Sequence, residues 1–137
     1  MPCGTRPPEN KAVTTLIAIA IGAVLGAWLR YGLALALNGR SWLPWGTFAA
    51  NAIGGLLVGL AIAYLSANRD ASALLRVFFI TGFLGALTTF STFSAEVTTL
   101  LLDGDLLKGL ALAALHLAAS FALTAIGIGL YKTVASV

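Results

Sequence analysis

Residues Thr88 to Ser94 read Thr-Thr-Phe-Ser-Thr-Phe-Ser, so five of seven positions carry a hydroxyl and the other two a benzene ring. Hydroxyls donate hydrogen bonds, and in Ser and Thr they also compete for backbone groups. Together with Gly82 and Gly85 just upstream, they weaken a continuous helix. Asn51 adds an amide, four residues after Thr47 and just before Gly54, Gly55 and Gly59. His116, Ser120 and Thr124 recur every fourth residue, which places them on one helix face. Phe90 and Phe93 are three apart and share a face where the chain is helical. Ring edges are positive, so such a pair can favour an anion while excluding water, although packing is its commoner role.

The same inventory argues against catalysis. The chain has one His and one Cys, and Glu96 is the only acid within or near its apolar stretches. No nucleophile, base and orienting group can be assembled from these, and no multi-residue metal site of the zinc type, so a non-enzyme is expected. Cys3, as the single cysteine, excludes an intrachain disulfide.

Elements that position these residues emerge from charge spacing. Over 137 residues, 59% are hydrophobic and 9% charged, with a mean hydropathy of +0.96. Soluble domains carry about 25% charged residues. The charges leave four uncharged runs, Ala12 to Leu29, Ser41 to Asn68, Val77 to Ala95 and Gly109 to Tyr131, of 18, 28, 19 and 23 residues. A spanning helix needs roughly 20 mostly apolar residues, so four transmembrane helices are expected. They are placed near residues 11–37, 44–66, 73–102 and 106–132, in a single domain over 12–137 behind a flexible tail over 1–11. Short connections make consecutive helices antiparallel neighbours. The first stretch follows Arg6 and Lys11 like a signal peptide. It is too long for one, and its Gly22-xxx-Gly26 spacing suits helix packing, so a retained span is expected.

The net charge of +3 is scattered singly over helix ends, which argues against a nucleic-acid partner. With four spans, Arg6, Lys11, Arg69, Arg76 and Lys132 lie on the side of the termini against Arg30, Arg40 and Lys108 on the other, five against three. This balance weakly favours cytoplasmic termini and leaves insertion in both orientations open. A break in the third span at membrane depth is tolerated only when buried in protein or lining a wet cavity. Hydroxyls that merely join ordinary helices are the competing reading. Polar stripes on the second and fourth helices beside a break on the third favour a route across the membrane.

These residues resemble the Fluc (CrcB) fluoride channel family. The resemblance runs through Gly22-xxx-Gly26-Ala27-xx-Arg30-Tyr31, then Gly46-Thr47-xxx-Asn51-xx-Gly54, then Gly82 to Glu96. The third motif is the specific one. It implies an all-α integral membrane protein of the cell inner membrane, with its third helix broken near mid-membrane. It also implies an antiparallel, dual-topology homodimer with two fluoride pores and a sodium ion at the dimer interface. By the same resemblance, the carbonyls of Gly85 and Thr88 hold sodium. Asn51, Phe90, Ser91, Thr92, Phe93, Ser120 and Thr124 line the pore. Arg30, Thr47 and Glu96 are given vestibule or structural roles on physical grounds: Arg30 lies near a helix end and can snorkel to the interface, and Glu96 would repel an anion unless paired, so it is placed near the dimer interface or a pore mouth and close to Arg30. His116 receives no role from the resemblance. The implied function is passive fluoride efflux and fluoride resistance.

Two other classes compete. A proton-coupled small multidrug transporter also has four helices, but that family has a buried Glu in its first, where residues 11–37 hold no acid; Glu96 would have to serve instead. A structural membrane subunit would pack against a larger complex and conduct nothing alone.

Overall fold

The computed structural model describes residues 9–39 and 41–136. Cys3, Arg6 and Arg40 lie outside these residues, as does most of the tail expected over 1–11. Helix α1 spans Glu9–Leu37, so Glu9 to Lys11 are helical rather than part of a tail. The last early proline is Pro8; beyond it nothing opposes a helix, and the Thr14 and Thr15 hydroxyls bond back to the carbonyls of Asn10 and Lys11. Helix α2 spans Trp45–Ala67. Helix α3 covers residues 73–87 and consists of an α-helical turn, Ala73–Arg76, a π-helical stretch, Val77–Leu84, and a closing turn, Gly85–Leu87. After two extended residues, α4 runs Phe90–Leu102 and α5 Leu106–Ala135. Gly39 (φ 82°) and Gly104 (φ 84°) take the left-handed turns that follow α1 and α4, a conformation open to glycine at little cost.

Among the described residues, four stretches are long and apolar enough to cross a membrane: Asn10–Leu37, Trp45–Ala67, Ala73–Leu102 and Leu106–Ala135. Their outward faces are apolar, with Leu16, Ile21, Trp28, Leu110, Phe121 and Leu130 all exposed. In water such a surface would be costly; in lipid it is the expected exterior.

Packing rests on close crossings, two of which set glycine against glycine. Where α1 meets α3, a Cβ on Gly22 would lie 2.9 Å from Phe83 N, and one on Gly82 would lie 3.1 Å from the Gly22 Cα. Where α2 meets α5, a Cβ on Gly59 would lie 3.1 Å from the Gly127 Cα. Lipid tails supply no hydrophobic drive between helices, so small residues that let backbones touch are what joins them. A buried cluster of Ala50, Leu84 and Leu87 then ties α2 to the end of α3. It fixes the interruption of the third span against the middle of α2.

Candidate functional site

The interruption follows from a loss of helical hydrogen bonds and their replacement from elsewhere. Thr88 (φ −80°, ψ 150°) and Thr89 (φ −147°, ψ 114°) are extended. In a continuous helix the Thr89 amide would bond to the Gly85 carbonyl. Instead it donates to Asn51 Oδ1 at 2.8 Å. Asn51 Nδ2 donates back to the Thr89 carbonyl at 3.1 Å, so one amide side chain from α2 clasps both polar groups of Thr89. The Thr92 amide, which would otherwise seek Thr88 O, donates to Thr89 Oγ1 at 3.1 Å and so caps the N-terminus of α4. The Ala86 carbonyl accepts from Arg30 Nε at 3.0 Å. Thr88 looks backwards, its hydroxyl donating to Leu84 O at 2.9 Å.

Beside the interruption lies a partly open groove of about 320 Å³. Asn51, Gly55 and Val58 of α2 form one wall, His116, Leu117, Ser120 and Thr124 of α5 another, and Thr88, Thr89, Phe90 and Phe93 the third. The phenylalanines meet edge to face with centroids 5.6 Å apart. Phe93 is buried, at 8% exposure, and stacks on the His116 ring at 4.7 Å; Phe90 is 76% exposed. The Thr124 hydroxyl donates to Gly55 O at 3.1 Å. Every polar side chain in this lining except His116 is incapable of carrying a charge. Towards α1, a second cavity of about 360 Å³ is lined by Arg30, Tyr31, Asn38, Thr47, Thr89 and Thr92 among others.

Residues 17–128 match the protein family described as "CrcB-like protein, Camphor Resistance (CrcB)". The chain belongs to the CrcB family. Among its relatives is the "Fluoride-specific ion channel FluC" of Pseudomonas putida (strain W619), 49% identical over 118 residues, which are 85% of this chain and 93% of the relative. The proteins of the same name from Bordetella pertussis and Pseudomonas syringae pv. maculicola are each 49% identical, over 117 and 121 residues. These cover 85% and 88% of this chain and 91% and 95% of the relatives. Family membership and four spanning-length helices make this a multi-pass membrane protein.

The residues expected at the site are distributed unevenly over this geometry. Asn51, Phe90, Phe93, Ser120 and Thr124 all line the first groove. Thr92 instead lines the second cavity, and Ser91 lines neither, its hydroxyl lying 3.3 Å from Thr89 Oγ1. Arg30 and Glu96, expected to lie close together, form no ion pair with each other. Among the described residues the one ion pair is Lys108–Asp105 at 2.8 Å. Arg30 is turned to the Ala86 carbonyl, while Glu96 Oε1 accepts from the Thr47 hydroxyl at 2.6 Å. The physical reason is that the carbonyls freed where α3 ends attract the guanidinium, and Thr47 is within reach of the carboxylate across α2. His116, set on the polar face of the fourth span but assigned no role by the family resemblance, also lines the groove. Its four-residue spacing from Ser120 was the available signal.

Proposed function

We infer that this protein is a fluoride channel through which fluoride leaves passively across a cell inner membrane. One observation carries the reading: a chain of the CrcB family gathers uncharged amide and hydroxyl groups and two phenylalanines in one groove beside the interrupted third span. Fluoride is small and strongly hydrated, so removing its water requires several closely spaced donors. A fixed cation would hold the ion; neutral donors bind it firmly enough to enter and weakly enough to leave. Arg30 accords with this, since its Nε is occupied by Ala86 O rather than directed into the groove. The membrane potential supplies about 2.3 kcal/mol per charge per 100 mV to drive efflux.

In this reading the interruption sits near mid-membrane, and the groove is completed by a second, oppositely oriented copy of the chain, giving two pores per dimer. The exposed Phe90 and the near balance of basic residues between the two sides support that arrangement. A sodium ion at the dimer interface fits the oxygens available. The Thr89 and Thr92 amides are diverted to Asn51 Oδ1 and Thr89 Oγ1, so the Gly85 and Thr88 carbonyls lose their helical donors. Unwound carbonyls and helix C-termini are the groups that hold sodium inside membranes. Bound there, the ion would supply positive charge to the carbonyl ends of two helices.

The test is efflux from liposomes reconstituted with the purified protein, followed with a fluoride electrode and without a proton gradient. Fluoride is expected to leave rapidly while chloride stays inside. Fluoride loss no faster than from protein-free liposomes, or equal loss of chloride, would overturn the reading. Activity without a proton gradient separates a channel from a proton-coupled transporter, and activity of the protein alone separates it from a structural subunit.

A further inference from the structure

His116 is 5% exposed, and its Nε2 has no hydrogen-bond partner among the described residues. Its Nδ1 lies 3.3 Å from Asn51 Nδ2. The Asn51 side chain cannot be turned round, because its Oδ1 is required by the Thr89 amide. The atom facing His116 is therefore the amide nitrogen, which only donates. It follows that Nδ1 accepts, and that a neutral ring carries its proton on Nε2. Both protons of the Asn51 amide are then engaged, one by Thr89 O and one by His116, and none is left for an ion.

A buried N–H without a partner is costly, and native structures retain few such groups. Here the ring is held by Phe93, stacked at 4.7 Å, and by Phe48, edge-on at 5.3 Å, in the wall of the groove that Ser120 and Phe90 also line. We propose that His116 Nε2–H is a hydrogen-bond donor to the permeating anion, and that Asn51 is a positioning residue that selects the tautomer in which this donor exists. The proposal rests on the fluoride-channel reading. It adds a donor on α5 one turn before Ser120 and changes the part played by Asn51 from direct ligand to orienting group. Glu96 Oε2 is the other buried side-chain polar atom without a partner among the described residues, and its competition for this proton is part of the test.

The chain's single histidine lets isotope-labelled histidine report on His116 alone, provided no polyhistidine tag is present. Ring-nitrogen NMR of the wild-type protein should show Nε2 protonated and Nδ1 bare, and added fluoride, but not chloride, should shift the Nε2 resonance. Asn51→Asp replaces the donor with an acceptor and should move the proton to Nδ1. His116→Leu should slow fluoride efflux roughly 10- to 100-fold, as for losing a hydrogen bond to a charged group, and His116→Gln, which keeps an N–H, should lose less. A proton on Nδ1 in the wild type, or an Nε2 resonance indifferent to fluoride in protein that conducts it, overturns the proposal. So does an Nε2 resonance that responds to Glu96→Gln instead of to fluoride. Wild-type protein that conducts no fluoride would instead overturn the channel reading itself.

Discussion

Replacing Asn51 by leucine keeps the volume of the side chain and removes every hydrogen bond it makes. Three are lost: Thr89 N–H to Oδ1 at 2.8 Å, Nδ2–H to Thr89 O at 3.1 Å, and the contact with His116 Nδ1 at 3.3 Å. The Thr89 amide is left buried without an acceptor, which costs about 1–3 kcal/mol, and each of the other two bonds contributes about 0.5–1.5 kcal/mol. Together the loss is about 2–6 kcal/mol, against a total stability of about 5–15 kcal/mol for a typical domain. Thr124→Val is the internal comparison, since it removes one bond to Gly55 O, a carbonyl inside α2 that keeps its helical donor. Its cost should be about 0.5–1.5 kcal/mol. Unfolding of both variants in one detergent, by denaturant titration followed through tryptophan fluorescence, should rank Asn51→Leu well below Thr124→Val. Equal stability of the two would refute the idea that Asn51 holds the interruption together.

The glycine crossing of α2 and α5 gives a second test. Gly59→Ala places a methyl against the Thr124 carbonyl, 2.9 Å from its carbon, and should destabilise by about 1–3 kcal/mol. Gly129→Ala enters open space and should be neutral or slightly stabilising in the same unfolding assay. Phe90→Ile and Phe93→Ile should each slow fluoride efflux from liposomes by roughly tenfold or more, on the order of 1.4 kcal/mol in barrier height. Only the Phe93 variant should also lose stability, by about 1–2 kcal/mol, because it alone is buried and stacked on His116. Elemental analysis of extensively dialysed protein should find sodium retained at the dimer; normal folding and flux with none retained would count against the Gly85 and Thr88 site.

Much of this was legible in the sequence because membrane architecture is written in one dimension. Thirteen charges in 137 residues mark the ends of four apolar runs, and a run of spanning length has only a helix available to it. The same one-dimensional signal put His116, Ser120 and Thr124 on one face, and all three line the groove. It could not reveal that Arg30 turns to a backbone carbonyl while Glu96 turns to Thr47. Charge complementarity suggested they would pair, but each has an uncharged partner, Ala86 O for Arg30 and the Thr47 hydroxyl for Glu96. The π-helical stretch Val77–Leu84 was equally hidden: its apolar sequence suits an α-helix as well, and it packs closely against α1 at Gly22 and Gly26.

The extended residues Thr88 and Thr89 illustrate why local propensity is a partial guide. Their hydroxyls weaken a helix, yet Thr88 spends its own on Leu84 O, four residues back, as threonines do inside intact helices. What makes the extended backbone tolerable is supplied from three places: Asn51 on α2 takes the Thr89 amide, Arg30 on α1 takes the Ala86 carbonyl, and Thr89 itself caps α4. Any one of these alone would leave polar backbone stranded in an apolar surrounding, at a cost of several kcal/mol per group in lipid. The interruption is therefore a tertiary feature that exists only once α1, α2 and α3 are packed. The two contacts that position it span 38 and 56 residues of sequence. Asn51, which clasps the Thr89 backbone, also lies 3.3 Å from His116 Nδ1 through its Nδ2. For this reason the shape of the third span and the chemistry of the groove should fail together when Asn51 is lost.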